Sequence, residues 1–414
     1  MKILLATYGS RGDVQPMLAL ALAFQAKGHD VKLAAPPEKA AWAKQMNCPF
    51  HPLGSNLTKF VDGLHKVYSG RSMIRSHCFL RKEIETQFET LMPIAANADL
   101  VIGSSLVAAL PSIAEALKIP YRYIAFTPQI LPSANHPCPI FTHQNLPVWY
   151  NRLTWLLAEW MDRFNNVLLI NRQRRQVGLT PIDNAWRHIL GQPVIVASDS
   201  VIAKVPCDVR IPKYFQTGYM HLKLPKKSHA PLQRFLSDGL PPVFAGFGSM
   251  PRLDQIDSMA IIVKAARMVG QRMVIGKFWD EPTPFDDCRD IFFIGKYPHL
   301  DLFPHMAAVI HHGGAGTTAT AAICGIPQII IPHLLDQYYW GVQIHRIKLG
   351  PLPIARAKLT VSRLAHAIKK SVSDLSMQKA AKKVAVQIKA QNSVQITVNA
   401  ILSSLKDIND KVID

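Results

Sequence analysis

Acidic residues are scarce in this 414-residue chain: 28 Asp and Glu stand against 47 Lys and Arg, a formal net charge of +19. Such an excess suits nucleic acid, an anionic membrane surface or an anionic substrate, and it also serves plain solubility. Basic residues cluster at Arg172, Arg174 and Arg175 and at Lys223, Lys226 and Lys227, and seven lie between Arg363 and Lys389 against one acid, Asp374. No RNA-recognition signature, zinc-finger spacing or helix-turn-helix accompanies them, so nucleic acid is not the expected partner. Long apolar runs are missing too: nothing approaches the roughly 20 residues that span a bilayer. The opening Met1–Thr7 is too short for a signal peptide and runs straight into a glycine loop. A cytoplasmic protein is expected, with at most peripheral contact at the inner membrane face. The six cysteines, Cys48, Cys78, Cys138, Cys207, Cys288 and Cys324, form no CxxC and read as reduced thiols. GxGxxG and GxxxxGK[ST] are both missing, which removes the dinucleotide and P-loop readings.

What the chain has is core material. Its residues are 49% hydrophobic and only 18% charged, and its length suits two or three domains. Short apolar runs alternate with helical patterns, as βα units on parallel sheets do. Strands are expected at 3–7, 31–35, 99–103, 121–126, 243–247, 272–275, 291–294, 308–310 and 328–331. Helices are expected from about Val14 to Lys27, Leu106–Leu117, Asp254–Val269 and Thr317–Ile323, with one long helix over Val148–Val177. The fold class is α/β, with an N-terminal domain over 1–222, a basic, proline-bracketed linker over 223–238 and a C-terminal domain over 239–392. A terminal helix over 393–414 is expected to pack back on the N-terminal domain.

Three strand ends open through glycines into helices: Gly9–Gly12, Gly248-Ser249 and Gly313–Gly316. Each such turn gathers backbone N–H groups and the positive end of a helix dipole. Singly, each is ordinary βα geometry. His311-His312-Gly313-Gly314-Ala315-Gly316-Thr317-Thr318 is more specific. Its small residues let a ligand approach the backbone, the threonines can cap the helix, and His312 stands where an anion would dock, a diphosphate being the natural guest. The alternative for His312 is a buried histidine satisfied by the fold.

Those residues carry a resemblance. Pro298-His299, Leu302-Phe303-Pro304, the His311–Thr318 run, Gly325-Ile326-Pro327 and Asp336-Gln337-Tyr338-Tyr339-Trp340-Gly341 resemble the donor-binding signature of family 1, UGT-like glycosyltransferases. Gly9-Ser10-Arg11-Gly12-Asp13-Val14-Gln15-Pro16 and Gly246-Phe247-Gly248-Ser249 are similar to the other ordered blocks of that family. The likeness spans the chain and is greatest to sterol glucosyltransferases and to bacterial enzymes that glycosylate antibiotic aglycones.

The resemblance implies a GT-B fold, two facing Rossmann-like domains with the donor held by the C-terminal one and the acceptor by the N-terminal one. It implies that Ser249, His312 and the amides of Gly314, Ala315, Gly316 and Thr317 hold the diphosphate. Pro298, His299 and Leu300 would meet the nucleobase, and Asp336 with Gln337 would bind sugar hydroxyls. The co-substrate implied is a nucleotide-sugar, UDP-glucose first and dTDP-sugar second, with no separate cofactor. No metal site is expected, since the DxD of metal-dependent transferases is missing and helix amides with an imidazole can relieve charge on the departing diphosphate.

Asp13, in the acceptor-side loop with Ser10, Arg11 and Gly12, is the expected general base, and Asp336 is its rival; the alternative for Asp13 is a helix cap. The plant branch places a histidine in this loop with an acidic partner after a later strand. Here that later loop reads Gly103-Ser104-Ser105, so a His–Asp relay is not expected. Thr320 also stands where plant enzymes have a glutamate. Inversion at the anomeric carbon is the implied outcome.

The acceptor pocket is expected from 54–77 and 128–160. Phe141, Trp149, Trp155 and Trp160 read either as core packing or as a slot for a hydrophobic acceptor such as a sterol, lipid or polycyclic natural product. With the basic clusters they also suit a membrane-surface dock. An epimerase of the same fold and a non-catalytic partner protein are the competing readings; retention of Asp13, His312, Asp336 and Gln337 argues against the second. Nothing in the sequence decides between monomer and homodimer.

Overall fold

Apolar runs bounded by turn residues bury both of their faces, and this is what makes them strands of parallel sheets. In the computed structural model, which describes residues 1–55, 70–211, 213–225, 228–248, 252–277, 285 and 288–409, they assemble into two sheets. The first contains β1 (Lys2–Tyr8), β2 (Asp30–Ala35), β3 (Phe50–Pro52), β4 (Leu100–Ser105), β5 (Tyr121–Ala125), β6 (Val194–Val196) and β7 (Tyr214–Gln216), in the order β3-β2-β1-β4-β5-β6-β7. The second contains β8 (Val243–Gly246), β9 (Met273–Gly276), β10 (Ile291–Ile294), β11 (Ala308–His311) and β12 (Gln328–Ile330), in the order β10-β9-β8-β11-β12. Every pairing is parallel. In both sheets the order reverses beside the first strand, between β1 and β4 and between β8 and β11. Ligands of open α/β sheets bind at such switch points, beyond the carboxyl ends of the strands.

The first core joins Leu5, Leu18, Phe24, Leu33 and Ile102 with Val398 and Ile401 of the terminal helix Ser393–Asn409. That helix lies against Arg11–Ala26, and its Ser404 accepts the Arg122 guanidinium, Nε to Oγ at 2.7 Å. The second core joins Val243, Ile262, Met273, Ile310, Ile329 and Leu364. The stretch read as a linker is helical over Ala230–Ser237, where Leu232 packs with Phe244 and Val274 of the second domain.

The helix read from Leu106 starts at Leu110, and three others differ from their sequence readings. The first begins at Arg11, not Val14, because Ser10 caps it and Asp13 completes a capping box. Pro16 therefore lies inside the helix and leaves the Gly12 carbonyl without its usual partner; the Tyr219 hydroxyl takes that place at 3.0 Å. Val148–Val177 is two helices, Val148–Arg163 and Asn166–Gln176. The helix after His312 spans Ala315–Cys324 with Gly314 at its N-cap and no side-chain cap, so neither Thr317 nor Thr318 performs the capping read from the sequence.

Candidate active site

Two helix N-termini meet at the cleft. Gly12, in the first turn of Arg11–Ala26, lies so close to Gly316, in the first turn of Ala315–Cys324, that a Cβ on Gly316 would stand 3.3 Å from the Gly12 Cα. Each terminus contributes about half a positive charge, and their convergence makes a strong site for negative charge.

The two ends are finished differently. At the first, Asp13 Oδ2 accepts from the Ser10 amide at 2.7 Å and the Ser10 hydroxyl at 3.0 Å. Its Oδ1 accepts from the Ser105 hydroxyl at 2.6 Å. Ser105, at the end of β4 with φ 56°, thus holds Asp13 from the later loop where an acidic partner is missing. Burial pushes the Asp13 carboxyl up, against the pull of these hydrogen bonds. Asp13 is the box residue of its helix, and its other oxygen is held by Ser105 of the later loop.

At the second end the first-turn amides have no side-chain cap. Gly313 needs its positive φ of 91°, and a Cβ there would meet the Ile330 side chain at 2.7 Å and the Gln337 carbonyl at 2.9 Å. His311 is the structural member of the pair: fully buried, it contacts Gln328 Oε1 through Nε2 at 3.0 Å and accepts the Gly313 amide on Nδ1 at 3.1 Å. His312 is the less buried member. Its ring lies between Gly248 and Gly314, and its Nδ1 is buried with no hydrogen-bond partner among the described residues. Burial, then the neighbouring His311, His333 and His299, lower it to about 3, so at neutral pH it offers a neutral imidazole. A buried polar atom left without a partner by the fold suits a ligand oxygen.

Asp336 heads the helix Gln337–Arg346 and accepts from Trp340 Nε1 at 3.1 Å. Burial, with a further push from the charge of Asp13, raises it to about 7. The two carboxylates therefore feel each other across the cleft. Gln337 is buried, and its Oε1 accepts from the His333 amide at 2.8 Å and the Leu334 amide at 3.1 Å. That oxygen shapes the loop before its own helix.

His299 stacks on Phe303 at 4.6 Å and 15°, forming an aromatic ledge with Phe244 after Pro298 and before Leu300. Burial first, then the charge of Arg11, lowers it to about 3. Arg11, read as part of the acceptor-side loop, also reaches the Trp42 ring at 5.6 Å, which Lys39 approaches at 5.3 Å. Burial and the nearby charges of Lys296 and Arg11 depress Lys39, with Glu38 opposing. Arg11 and Lys39 of the first domain thus lie near Lys296 of the second. Tyr219, Trp42, Lys39 and Lys296 escaped the sequence reading because they lie in no motif. Ser249, the second part of the 246–249 block, lies outside the described residues, as do 56–69 of the expected acceptor loop.

The comparisons with known proteins agree with this architecture. Residues 3–134 match the glycosyltransferase family 28 N-terminal domain, and 286–403 match the erythromycin biosynthesis protein CIII-like C-terminal domain. The glycosyltransferase GtfE of Amycolatopsis orientalis is 33% identical over 361 residues, covering 84% of this chain and 85% of its own. The chain is a glycosyltransferase of this family. A sterol 3-beta-glucosyltransferase of Arabidopsis thaliana, UGT80B1, is 32% identical over 393 residues, covering 89% of this chain and 62% of that one. Among solved structures, the glycotransferase of kitacinnamycin superposes with a TM-score of 0.74 over 97% of this chain and 98% of its own at 16% identity. The glycosyltransferase VinC, in complex with dTDP, gives 0.68 over 97% and 99% at 19% identity. These likenesses show the GT-B fold for this glycosyltransferase.

The site carries two predictions. A Cβ on Gly316 would stand 2.7 Å from the Tyr219 hydroxyl, so Gly316→Ala separates the two helix ends. Steady-state kinetics should show kcat reduced by on the order of 10²-fold, as small misplacements of reacting groups do, with donor affinity less affected. A variant with unchanged kcat would show that this approach is not used in turnover.

The second concerns Asp336. Its pKa of about 7 exceeds the ordinary 3.8. The folded state then binds more protons than the unfolded state between those values, and stability is lost as pH rises through that window. Asp336→Asn removes that loss. Its melting temperature should exceed that of the parent above about pH 7 and approach it below about pH 4. A gap independent of pH would contradict the assignment.

Proposed function

We propose that this glycosyltransferase moves a hexose, glucose in the first instance, from UDP-glucose or a related UDP-sugar to a hydroxyl of a hydrophobic acceptor, with inversion and without a metal. The acceptor class is a sterol, a lipid or a polycyclic natural product. The observation that carries the reading is the meeting of two helix N-termini, one closed by Asp13 and the other left to a diphosphate beside His312.

In this reading Asp13 accepts the acceptor proton while the acceptor oxygen forms its bond to the anomeric carbon. The bond from that carbon to the diphosphate oxygen breaks, and the electron pair leaves with the diphosphate. The amides of Gly314, Ala315, Gly316 and Thr317 and the imidazole of His312 receive the developing charge. Asp336 and Gln337 hold sugar hydroxyls. Relatives named for glucosylating a vancomycin aglycone and sterols support both the sugar and the acceptor class. The dTDP named with VinC keeps dTDP-sugars as the second donor class.

The test is incubation with UDP-glucose or dTDP-glucose and a panel of sterols, hydroxylated lipids and polycyclic aglycones. A hexose mass added with a β linkage from the α donor supports the reading. Retention of configuration would overturn the mechanism, and epimerised donor without transfer would favour the epimerase reading.

A further inference from the structure

The helix Val148–Arg163 has apolar side chains on two faces. Its inner face is conventional: Asn151, Thr154 and Trp155 are buried, and Trp155 donates Nε1 to the His136 carbonyl at 3.1 Å. The outer face carries Trp149, Leu153, Leu156 and Trp160, spaced three or four residues apart, and the stripe continues through Phe164 to Leu168 of the next helix. Trp149 is 65% exposed, Leu156 57%, Trp160 58% and Phe164 59%. With Leu157 beside it, seven large apolar side chains stand exposed along one face, where a monomer ordinarily scatters them singly. A helix at a protein surface normally turns charge outward; here the outward stripe is apolar, and the inward one carries Trp155 beside the hydrogen-bonded Asn151 and Thr154.

The charges around this face are of one sign. Arg152, Arg163, Arg172 and Arg175 are exposed along it. The acids of the same helix, Glu159 and Asp162, are partly buried, and Asp162 Oδ1 accepts from the Asn166 side-chain nitrogen Nδ2 at 2.6 Å. We propose that this face docks the enzyme on an anionic phospholipid bilayer, with the aromatic and leucine side chains in the acyl boundary and the arginines at the headgroups. Charge decides between occupants. A second copy would bring its own arginines against these, in a chain already at +19, whereas anionic headgroups neutralise them. Tryptophan, apolar in body with one N–H, is suited to the interface between the two media. Among the described residues no helix is long and apolar enough to cross the membrane, so the attachment is to one face.

The position of the helix gives the docking a use. Trp155, on its inner face, meets His136 at 6.0 Å, and His136 meets Tyr339 at 5.7 Å. Tyr339 precedes Trp340, which donates to Asp336. The bilayer-facing stripe and the cleft are therefore one helix and two aromatic rings apart, and an acceptor dissolved in the bilayer would be delivered to the side where Asp336 stands. This use rests on the acceptor class proposed above; the docking itself does not.

The experiment is flotation of the full chain at low salt with vesicles of phosphatidylcholine alone or mixed with phosphatidylglycerol. The parent should float with the mixed vesicles, and its tryptophan emission should shift to the blue. Leu156→Glu with Trp160→Glu should reduce flotation at least tenfold. Arg152→Glu with Arg163→Glu should remove the preference for phosphatidylglycerol. Unchanged melting temperature and UDP affinity in these variants would show that fold and donor site are intact, so that loss of flotation reports on docking alone. Failure of the parent to float, flotation that the variants leave unchanged, or a dimer dispersed by Trp160→Glu would overturn the proposal, the last assigning the face to a second copy.

Discussion

Asp13→Asn is expected to reduce kcat by roughly 10²–10⁴-fold while leaving donor affinity within about threefold of the parent, because positioned proton acceptance contributes in that range. Both carboxylate oxygens are held, Oδ2 by Ser10 and Oδ1 by Ser105, and these bonds fix the group at the end of β4 facing the second domain. Burial raises its pKa, so it is a stronger base than a surface carboxylate and loses activity to protonation earlier on the acid side. The rate should accordingly fall with decreasing pH above the ordinary carboxylate range. Asparagine occupies the same space and can still accept one hydrogen bond, which limits the capping loss to about 1 kcal/mol or less. Ser105→Ala is the companion variant. It leaves the carboxylate in place but releases Oδ1, so a smaller drop in kcat and a shifted acid limb in the pH profile are expected. Full activity of Asp13→Asn, with loss in Asp336→Asn instead, would transfer the role to Asp336.

His312→Ala should weaken nucleoside diphosphate binding by about 10- to 100-fold, corresponding to roughly 1.5–3 kcal/mol for a hydrogen bond to a charged group. The imidazole is neutral at the site, with its charge opposed by burial and by three neighbouring histidines. Its contribution is therefore a directed hydrogen bond and not an ion pair, and salt should affect the loss only weakly. His312→Gln can restore a donor at a similar reach and should recover part of the affinity. His311→Ala tests the contrast between the two neighbours. It removes the bonds to Gln328 and the Gly313 amide, so the melting temperature should fall along with donor affinity. Loss of affinity without loss of stability belongs to His312 alone.

The strands that read clearly from sequence are apolar runs that lead into a glycine turn and a helix, such as Ile3–Thr7 and Val243–Phe247. β3, β6 and β7, of three residues each, are not among the expected strands; they are set by the neighbouring strands that pair with them. Helix starts were read late, at Val14 and Thr317, because apolar periodicity begins after the first turn; capping by Ser10 and Gly314 sets the true starts. Aromatic spacing cannot tell the inside from the outside of a helix. Trp149, Trp155 and Trp160 belong to one pattern, yet Trp155 is core while the other two face out. The glycine loops were legible because a close backbone approach leaves glycine as the residue that fits. Trp42, Lys39 and Tyr219 reach the site from separate elements, and no spacing in the sequence announces a contact between distant segments.

The central claim is that the end of Ala315–Cys324 beside His312 holds a nucleoside diphosphate without metal. Calorimetric titration of UDP, and then dTDP, into the parent and His312→Ala in excess EDTA tests it most directly. The account predicts binding in EDTA at a stoichiometry of about one, with affinity clearly reduced in His312→Ala. Binding that disappears with EDTA, or that His312→Ala leaves unchanged, would contradict it.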